Sequence, residues 1–553
     1  MHPTPAPSAA PRVRIAFHAL IAALPFADFL QTGVVAFSAA PVMGDLSATP
    51  EDYSGVATLY AVVAIAVIAA HRLLLERFGW RRLLQGASAL FATGAVVCAL
   101  SHSLAAFALG RVVMALGCAS FLTAGRVLVN HIPASPRRFT GIKCFAAGLA
   151  WGGVAGPWLA SAAFASQGWR LAFLALVAPA LVLFVLADRT LRLAPAVPAA
   201  LAGEGTPAWP TSLLCLIGGS FLLLHGLQRA NQDFFDDARL LWGGAALGVA
   251  VLAAVVWTGR HAAASPIRFG PLAQRRYLLG LGVFGVCYLL LGANNTMLPV
   301  LLQRGLGLPL DTAGRFMALG SLAGVASWIL VSRLLPRSPG PTRYYLAAFA
   351  ALLACGAQLA SLTDAVDPWR SVMPALLCHG AFVIVALSTT AMQTFKTLQH
   401  DEAAFSHANQ VKNILAQFGV AAGTALATLC LQWRGNLHHA RLVESLSPAN
   451  PALQPALAAW TRWFASTEGE AAAPAMALAQ LGRWVDQQAL LMGMLDYFQA
   501  VALLAGVALA AVVGVAWCAP SGFRANGAGE VRQINHFFGR VPDWCKVHAK
   551  VRR

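Results

Sequence analysis

Long apolar stretches separated by short polar turns follow one another along almost the whole chain of 553 residues. A crossing of the bilayer needs about 20 consecutive apolar residues, and the chain contains about fourteen stretches of that length. The pattern therefore predicts an all-α membrane protein with helices at 15–41, 54–75, 84–102, 104–128, 139–164, 170–187, 211–228, 239–259, 277–301, 313–335, 343–362, 371–395, 410–432 and 495–518.

The turn between the tenth and eleventh stretches, Ser332–Arg337, is basic like the turn between the second and third. If the two turns are equivalent, two extra helices stand between two bundles of six. The predicted organisation comprises a first bundle at 1–190, a linker with two inserted helices at 191–270, a second bundle at 271–518 with a long extracytoplasmic segment at 433–494, and a basic tail at 519–553.

Composition strengthens the membrane prediction. Hydrophobic residues make up 58% of the chain, charged residues make up 11%, and the mean hydropathy is +0.65, which excludes a soluble protein. The net charge of +17 indicates topology first, since loops rich in lysine and arginine stay in the cytoplasm. Most basic residues fall at the two termini and in the even-to-odd turns. Both termini are therefore predicted to be cytoplasmic, with the tail on anionic lipid, and nucleic-acid binding is disfavoured.

The predicted fifth helix combines a proline with a row of glycines. Gly148, Gly152 and Gly156 are spaced four residues apart and share one helix face, while Pro157 removes a backbone donor. Glycines at this spacing let a neighbouring helix approach closely. We predict that this helix is a close-packed hinge or seal rather than a binding site.

The turn at 72–82 places a glycine among acidic and basic residues. Such a turn is tight, and its charge pairs hold two helix ends together. The run resembles the loop motif G-x-L-x-D-R-x-G-R-R of the major facilitator superfamily. Arg72 departs from the motif, because it stands where the first glycine is expected. The residues that carry the resemblance are Glu76 in place of the aspartate, Arg77, Gly79 and Arg81.

Further matches resemble the fourteen-helix drug:proton antiporter branch (EmrB/QacA-like) of this superfamily. Arg111 resembles the arginine of the intramembrane R-x-x-Q-G motif, although Met114 and Ala115 replace its Gln and Gly. The fifth helix resembles the export motif G-x-x-x-G-P-x-x-G-G, and 168–173 resembles the start of the sixth helix in this branch. In the second half, 409–419 resembles the entry to the thirteenth helix.

The resemblance implies a secondary active transporter, not an enzyme, in the inner (plasma) membrane. It implies export of drugs or other amphipathic small molecules by alternating access, driven by inward proton flow and without a cofactor. One alternative is an exporter or importer of a specific metabolite, siderophore or lipid in the same fold. A more remote alternative is a polytopic membrane enzyme whose outer acids, such as Asp236 and Asp237, hold a metal. No metal is expected, because the spacing of His536, Cys545 and His548 fits no common site.

Ionisable side chains inside a membrane are costly and usually face a cavity or a partner. Asp28 and Arg111 have similar depths on helices one and four, which line the central cavity of the family fold, and Gln31 shares the helix face of Asp28. We hypothesise that Asp28 pairs with Arg111 and carries the coupled proton; the alternative is a static ion pair. His379 is the next candidate for a proton relay, and packing is its alternative.

Polar and aromatic side chains on other predicted helices are candidates for substrate contact. Cavities for small molecules combine apolar walls with a few polar points, and either kind of residue suits that purpose. Ordinary packing is the alternative for the aromatic ones. The candidates are Phe37, Trp151, Asn294, Asn295, Gln303 and Gln393.

Residues 433–494 form the longest predicted segment outside the membrane. Their apolar residues recur at broadly helical spacing between prolines, so we predict short amphipathic helices joined by proline turns on the outer side. In the branch that the chain resembles, the partner there is a periplasmic adaptor that links to an outer-membrane channel. The expected partners are thus a small-molecule substrate, protons, membrane lipid and such an adaptor. The alternative is a loop folded down onto its own transporter.

Overall fold

The structure is a computed structural model that describes residues 11–518 except 134–135, 167, 193–208, 231–237, 262–264, 339, 364–366, 447–450 and 452. The predicted tail at 519–553, residues 193–208 of the predicted linker and the acids Asp236 and Asp237 lie outside the described residues. Within the described ranges, every regular element is a helix.

The described α-helices are numbered in chain order. They are α1 (Pro11–Asp45), α2 (Pro50–Ala99), α3 (Leu104–His131), α4 (Pro136–Ser166), α5 (Trp169–Ala175), α6 (Val177–Thr190), α7 (Trp209–Arg229), α8 (Ala238–His261), α9 (Arg275–Val300), α10 (Leu310–Leu334), α11 (Pro341–Ala360), α12 (Met373–Thr394), α13 (Glu402–Ser445), α14 (Leu453–Glu468) and α15 (Ala473–Cys518). A short 3-10 turn at Gly270–Leu272 precedes α9, and π-helical turns at Leu301–Gly305 and Pro368–Val372 follow α9 and precede α12.

Twelve helical stretches of the described chain are long and apolar enough to cross a membrane. One of them covers most of α2, which has 50 residues and bends at Gly79, where φ is +71°. At about 1.5 Å per residue, α2 is about 75 Å long, enough for two crossings of a hydrocarbon core of about 30 Å. Counting α2 twice and adding α4, which has 31 residues, gives the predicted fourteen crossings.

Two large apolar cores organise these helices. The first contains Phe91 and is built by α1 to α6, and the second contains Phe498 and is built mainly by α9 to α13 and α15. Phe37 of α1 and Ala160 of α4 are buried in the second core. Thus the two bundles are in direct contact. Between them in sequence, α7 packs against α2 and α8 packs against α7.

The bundles meet along two seams. In the α4 seam, α4 packs against α10; in the α13 seam, α13 packs against α2 and α3. Near the start of α4, Trp328 Nε1 of α10 donates to the Lys143 carbonyl at 3.1 Å. Near its end, Ser161 Oγ donates to the Asp311 carbonyl. The α4 seam therefore carries a hydrogen bond between the bundles near each of its ends.

The segment at 433–494 differs from the prediction, because much of it continues membrane helices. α13 has 44 residues and α15 has 46, so at about 1.5 Å per residue both are more than twice as long as a hydrocarbon core of about 30 Å. The prolines explain the difference. Pro455 and Pro474 lie in the first turns of α14 and α15, where a missing N–H costs nothing, and Pro451 falls between α13 and α14, whereas Pro448 lies outside the described residues. We call α14, together with the parts of α13 and α15 that lie within 433–494, the projecting hairpin.

Candidate functional site

The first polar cluster joins α1, α2 and α3. Arg111 Nη1 donates to Gln31 Oε1 at 3.2 Å, and Gln31 Nε2 donates to the Tyr60 hydroxyl at 3.0 Å. The guanidinium of Arg111 also lies 4.1 Å from the centre of the Tyr60 ring. Tyr60 is within 2.8 Å of Cys118 Sγ. The predicted ion pair of Arg111 with Asp28 is therefore wrong in this arrangement, because the neutral Gln31 and Tyr60 hold the guanidinium.

Asp28 has its charge partner in the other bundle. Its side chain is partly buried on α1 and accepts no hydrogen bond from the described residues, while Lys412 of α13 acts on it as an opposite charge. Lys412 is 8% exposed, and its Nζ lies 3.5 Å from the Tyr288 hydroxyl of α9. The charge interaction of Asp28 with Lys412 thus spans the two bundles, and Lys412 contacts α9 through Tyr288.

From the sequence, residues 409–419 stand out only by their family resemblance. Their polar side chains in fact form hydrogen bonds across the α13 seam. Asn413 Nδ2 donates to Thr123 Oγ1 at 2.7 Å, and Asn409 Nδ2 donates to the Thr123 carbonyl at 3.2 Å. Gln410 Nε2 donates to the carbonyls of Ile68 and Ala69, both at 3.0 Å. The signal was available, since four polar side chains on adjoining turns of one membrane helix rarely face lipid.

His379 lies on α12, away from this cluster. It is 8% exposed, and its Nε2 has no hydrogen-bond partner among the described residues. No described contact joins it to Asp28, Gln31 or Arg111. Its place in a proton relay remains a prediction.

No hydrogen bond between described residues joins the predicted substrate contacts to one another, and their role in binding stays a prediction. Asn294 is 1% exposed and accepts a hydrogen bond from the Tyr497 hydroxyl at 2.8 Å, which ties α9 to α15. Gln393 accepts from Arg276 Nη2 at 2.5 Å. Both amides therefore act in helix contacts of the second bundle. Asn295 is partly buried on α9, and Gln303 is partly buried in the π-helical turn that follows.

The two aromatic candidates have opposite surroundings. Phe37 is 3% exposed and lies in the core of the opposite bundle. Trp151 is 48% exposed and shares a face of α4 with Trp158, which is 58% exposed, so it does not form a buried wall. Ala160, by contrast, faces the buried side of the same helix.

The turn motif makes contacts both within its bundle and across the α13 seam. Arg72 Nε donates to Glu76 Oε1 at 3.0 Å, and Arg72 Nη1 lies 3.1 Å from His407 Nε2 of α13. Arg81 Nη2 pairs with Asp188 of α6 at 2.5 Å, whereas Arg77 is exposed. Gly79 has a left-handed φ of +71°, a conformation that favours glycine.

The glycine face of α4 packs against α1 of its own bundle. A Cβ on Gly148 would lie 2.1 Å from the Ala22 carbonyl oxygen, and one on Gly152 would lie 2.7 Å from the Phe26 carbonyl oxygen. A Cβ on Gly156 would lie 2.8 Å from Gly33 Cα. The opposite bundle is contacted instead through Pro157 and Ser161, whose atoms surround Gly314 of α10. α4 is therefore held tightly on two sides.

A comparison of the whole sequence with profiles of known protein families agrees with these features. The profile of the Major Facilitator Superfamily matches residues 21–430, which is more than half of the chain. The chain belongs to the major facilitator superfamily. The prediction of an all-α, multi-pass transporter of the inner membrane is thereby confirmed, and a transporter is indicated rather than an enzyme.

Two relatives in this superfamily carry names of multidrug resistance proteins. MdtD of Klebsiella pneumoniae (strain 342) is 24% identical over 419 residues, which cover 75% of this chain and 85% of MdtD. EmrY of Escherichia coli K12 is 21% identical over 525 residues, which cover 92% of this chain and 96% of EmrY. Among solved structures, the human organic anion transporter MFSD10 is 14% identical, with a TM-score of 0.49 over 90% of this chain and 98% of MFSD10.

Proposed function

We propose that this major facilitator protein is a proton-coupled exporter of amphipathic small molecules in which Asp28 carries the proton. The observation that carries the proposal is the placement of Asp28. Its carboxylate has no hydrogen-bond partner among the described residues, and its charge partner Lys412 belongs to the other bundle. The charge on Asp28 therefore affects the contact between the bundles.

Alternating access follows from this coupling. When Asp28 is ionised, its attraction to Lys412 across a poorly hydrated seam favours the arrangement described above. A proton on Asp28 removes that attraction, so the bundles separate more easily. A ligand or a proton shifts such an equilibrium only by its preference for one arrangement over the other. Arg111 contributes a fixed positive charge that Gln31 and Tyr60 keep in place.

We propose that the compounds exported include drugs. This proposal is supported by the names of MdtD and EmrY and by the resemblance of α4 to an export motif. The predicted sidedness puts the turn at 72–82 in the cytoplasm and the projecting hairpin outside. With that orientation, protons enter from the hairpin side while substrate leaves toward it.

Everted membrane vesicles test the proton coupling. Energised vesicles are supplied with a dansylated amphipathic amine or acid, and accumulation is followed by dansyl fluorescence. We expect wild-type vesicles to accumulate one or both probes and to lose them when a protonophore is added. Asp28→Asn should abolish this accumulation but keep exchange of probe across the membrane without a gradient, and Asp28→Glu should keep both.

Asp52 is the control residue for Asp28. Asp52→Asn removes an acid at the start of α2, where the carboxylate is exposed, and should leave accumulation unchanged. Normal gradient-driven accumulation in well-expressed Asp28→Asn would remove Asp28 from the coupling. Accumulation that survives a protonophore in the wild type would refute proton coupling altogether.

We further propose that the projecting hairpin binds a periplasmic adaptor protein. The proposal is supported by the length of α13 and α15 and by apolar side chains on the hairpin that are left exposed, such as Trp463 (60%) and Trp484 (45%). Trp463→Glu should lower drug resistance of whole cells but leave accumulation in everted vesicles intact. Ala458→Glu, on another face of α14, is the control. Equal effects of Trp463→Glu in cells and vesicles would contradict adaptor binding.

A further inference from the structure

The charged residues at the centre of the molecule are unbalanced in sign. Where α1, α3 and α13 meet, four charged side chains are linked: Lys412 interacts electrostatically with Asp28 and with Arg126, and Asp28 and Arg111 both act on Tyr60. Only one of the four is acidic. We call this group the charged centre. An excess of positive charge in a poorly hydrated region is costly unless an anion offsets it.

Arg126 is the member of the charged centre that has no acidic partner among the described residues. Arg111 is held by Gln31 and Tyr60, and Lys412 has Asp28. The guanidinium of Arg126 is partly buried and makes no hydrogen bond or ion pair with the described residues. The charged groups that act on it are Arg138 and Lys412, which are both cations. Arginine stays charged at any physiological pH, so this cation cannot be neutralised by losing its proton.

A strip of aromatic rings connects Arg126 to Lys412. The guanidinium of Arg126 lies 5.7 Å from the ring centre of Phe405 and 5.9 Å from that of Phe395. Phe395 is 6.5 Å from Phe284, measured between ring centres. The Lys412 Nζ lies 5.8 Å from the ring centres of both Phe284 and Tyr288. We call these four rings the aromatic strip.

Arg126 lies on the opposite side of the α13 seam from Lys412 and the aromatic strip. Arg126 projects from α3 of the first bundle, whereas the rings and Lys412 belong to the second. In the arrangement described here the bundles are in contact, and the four rings are at most 7% exposed. Arg126 covers Phe395 and Phe405 from the first bundle, so separation of the bundles would take that cover away and leave an apolar surface that both Arg126 and Lys412 border.

We infer that the substrate of this transporter is an amphipathic acid, whose apolar body lies on the aromatic strip and whose anionic group binds Arg126 and Lys412. This inference rests on the proposed export function and specifies its substrate class. A carboxylate matches the two parallel N–H groups of a guanidinium, and an aromatic surface suits an apolar body. An acid bound in this way supplies the counter-charge that Arg126 lacks.

The geometry also predicts which compounds bind poorly. An amphipathic amine would add a further positive charge beside Arg126 and Lys412 and would have only Asp28 as an attractive partner. Like charges brought together in a region of low dielectric repel strongly. A pair of probes with the same fluorophore and opposite end groups therefore separates the two classes of substrate.

The test uses the purified full-length transporter in detergent, with dansylated undecanoic acid and dansyl cadaverine as the two probes. Binding is measured from the rise in dansyl fluorescence. We expect the acid to bind at least tenfold more tightly than the amine. Arg126→Gln and Lys412→Gln should each weaken binding of the acid by about tenfold or more, and should leave binding of the amine unchanged or stronger. Arg260→Gln removes an exposed arginine from the end of α8 and should change neither.

The binding test can overturn the inference in two ways. Equal affinity of the wild-type protein for both probes, or tighter binding of the amine, would overturn the inference whatever the variants do. Unchanged binding of the acid in both glutamine variants would overturn it as well. Binding needs no gradient, so selective binding of the acid together with accumulation that resists a protonophore would support this substrate class and refute the proton coupling.

Discussion

Arg72 Nη1 lies 3.1 Å from His407 Nε2, so the residue that departs from the turn motif bridges the two bundles. A guanidinium donates only, and the imidazole therefore accepts through Nε2. Gln410, one turn further along α13, lies 3.1 Å from the other ring nitrogen of His407. The hydrogen bond between Arg72 and His407 thus joins the two bundles at the end of the α13 seam next to the turn at 72–82.

Arg72→Gly restores the residue that the family motif has and should loosen this end of the seam. Loss of a net hydrogen bond costs about 1 kcal/mol, which changes the open population about fivefold. The measurement is the rate at which a maleimide labels a cysteine placed at Ile68, which is 2% exposed. Arg77→Gly is the control, because Arg77 is exposed. Equal labelling rates in the two variants would show that the contact does not hold the seam.

Gly148→Ala should destabilise the protein through overpacking between α1 and α4. The new Cβ would lie 2.1 Å from the Ala22 carbonyl oxygen, and such crowding costs about 1–3 kcal/mol. Gly153→Ala is a matched control on the same helix, since nothing lies within 4 Å of its Cβ position. Thermal unfolding of the purified variants should show a lower midpoint for the first and an equal or higher midpoint for the second. The reverse order would contradict the close approach of the two helices.

Thr123→Val should weaken the α13 seam while preserving side-chain shape. The hydroxyl of Thr123 accepts from Asn413 Nδ2 at 2.7 Å, and leaving that buried donor unpaired costs about 1–3 kcal/mol. We expect slower transport in vesicles and a lower unfolding midpoint. Thr258→Val is the comparison, because the hydroxyl of Thr258 bonds only to the backbone of its own helix, α8. Similar behaviour of both variants would mean that the seam does not depend on this bond.

Asp496→Asn should release the base of the projecting hairpin. Asp496 Oδ2 lies 2.6 Å from both Arg434 Nε and His438 Nε2, which join α13 to α15. Hydrogen bonds to charged groups contribute about 1.5–3 kcal/mol, less where water reaches them as it does here. Asp486→Asn removes the pair with His439, which is largely exposed and should contribute about 0–1 kcal/mol. Limited proteolysis of the hairpin should accelerate only in the first variant.

The glycines of the turn at 72–82 and of α4 have the local roles that the sequence predicts. Gly79 was expected to form a tight turn and does so with a positive φ, because only glycine adopts that conformation at no cost. Gly148, Gly152 and Gly156 were expected to permit a close helix approach, and they do, with α1 as the neighbouring helix. Helical periodicity marks a face but does not name the helix that packs against it.

Asp28 shows where sequence reasoning ended. Similar depth suggested Arg111 as its partner, but depth leaves the rotation of each helix undefined. In the folded chain, Arg111 bonds to Gln31, and Asp28 interacts with Lys412, which is 384 positions away in sequence. No local pattern connects such distant residues.

The sequence by itself determined the solvent, the helices and the family, because bilayer crossings require about 20 apolar residues each and the turn motifs are local. It also determined that charged residues lie inside the membrane. Only the tertiary structure decided which charges meet. The charge interaction of Asp28 with Lys412, the lack of an acidic partner for Arg126 among the described residues, and the bridge from Arg72 to His407 all depend on how α13 packs against the first bundle. That packing results from contacts between residues far apart in the chain.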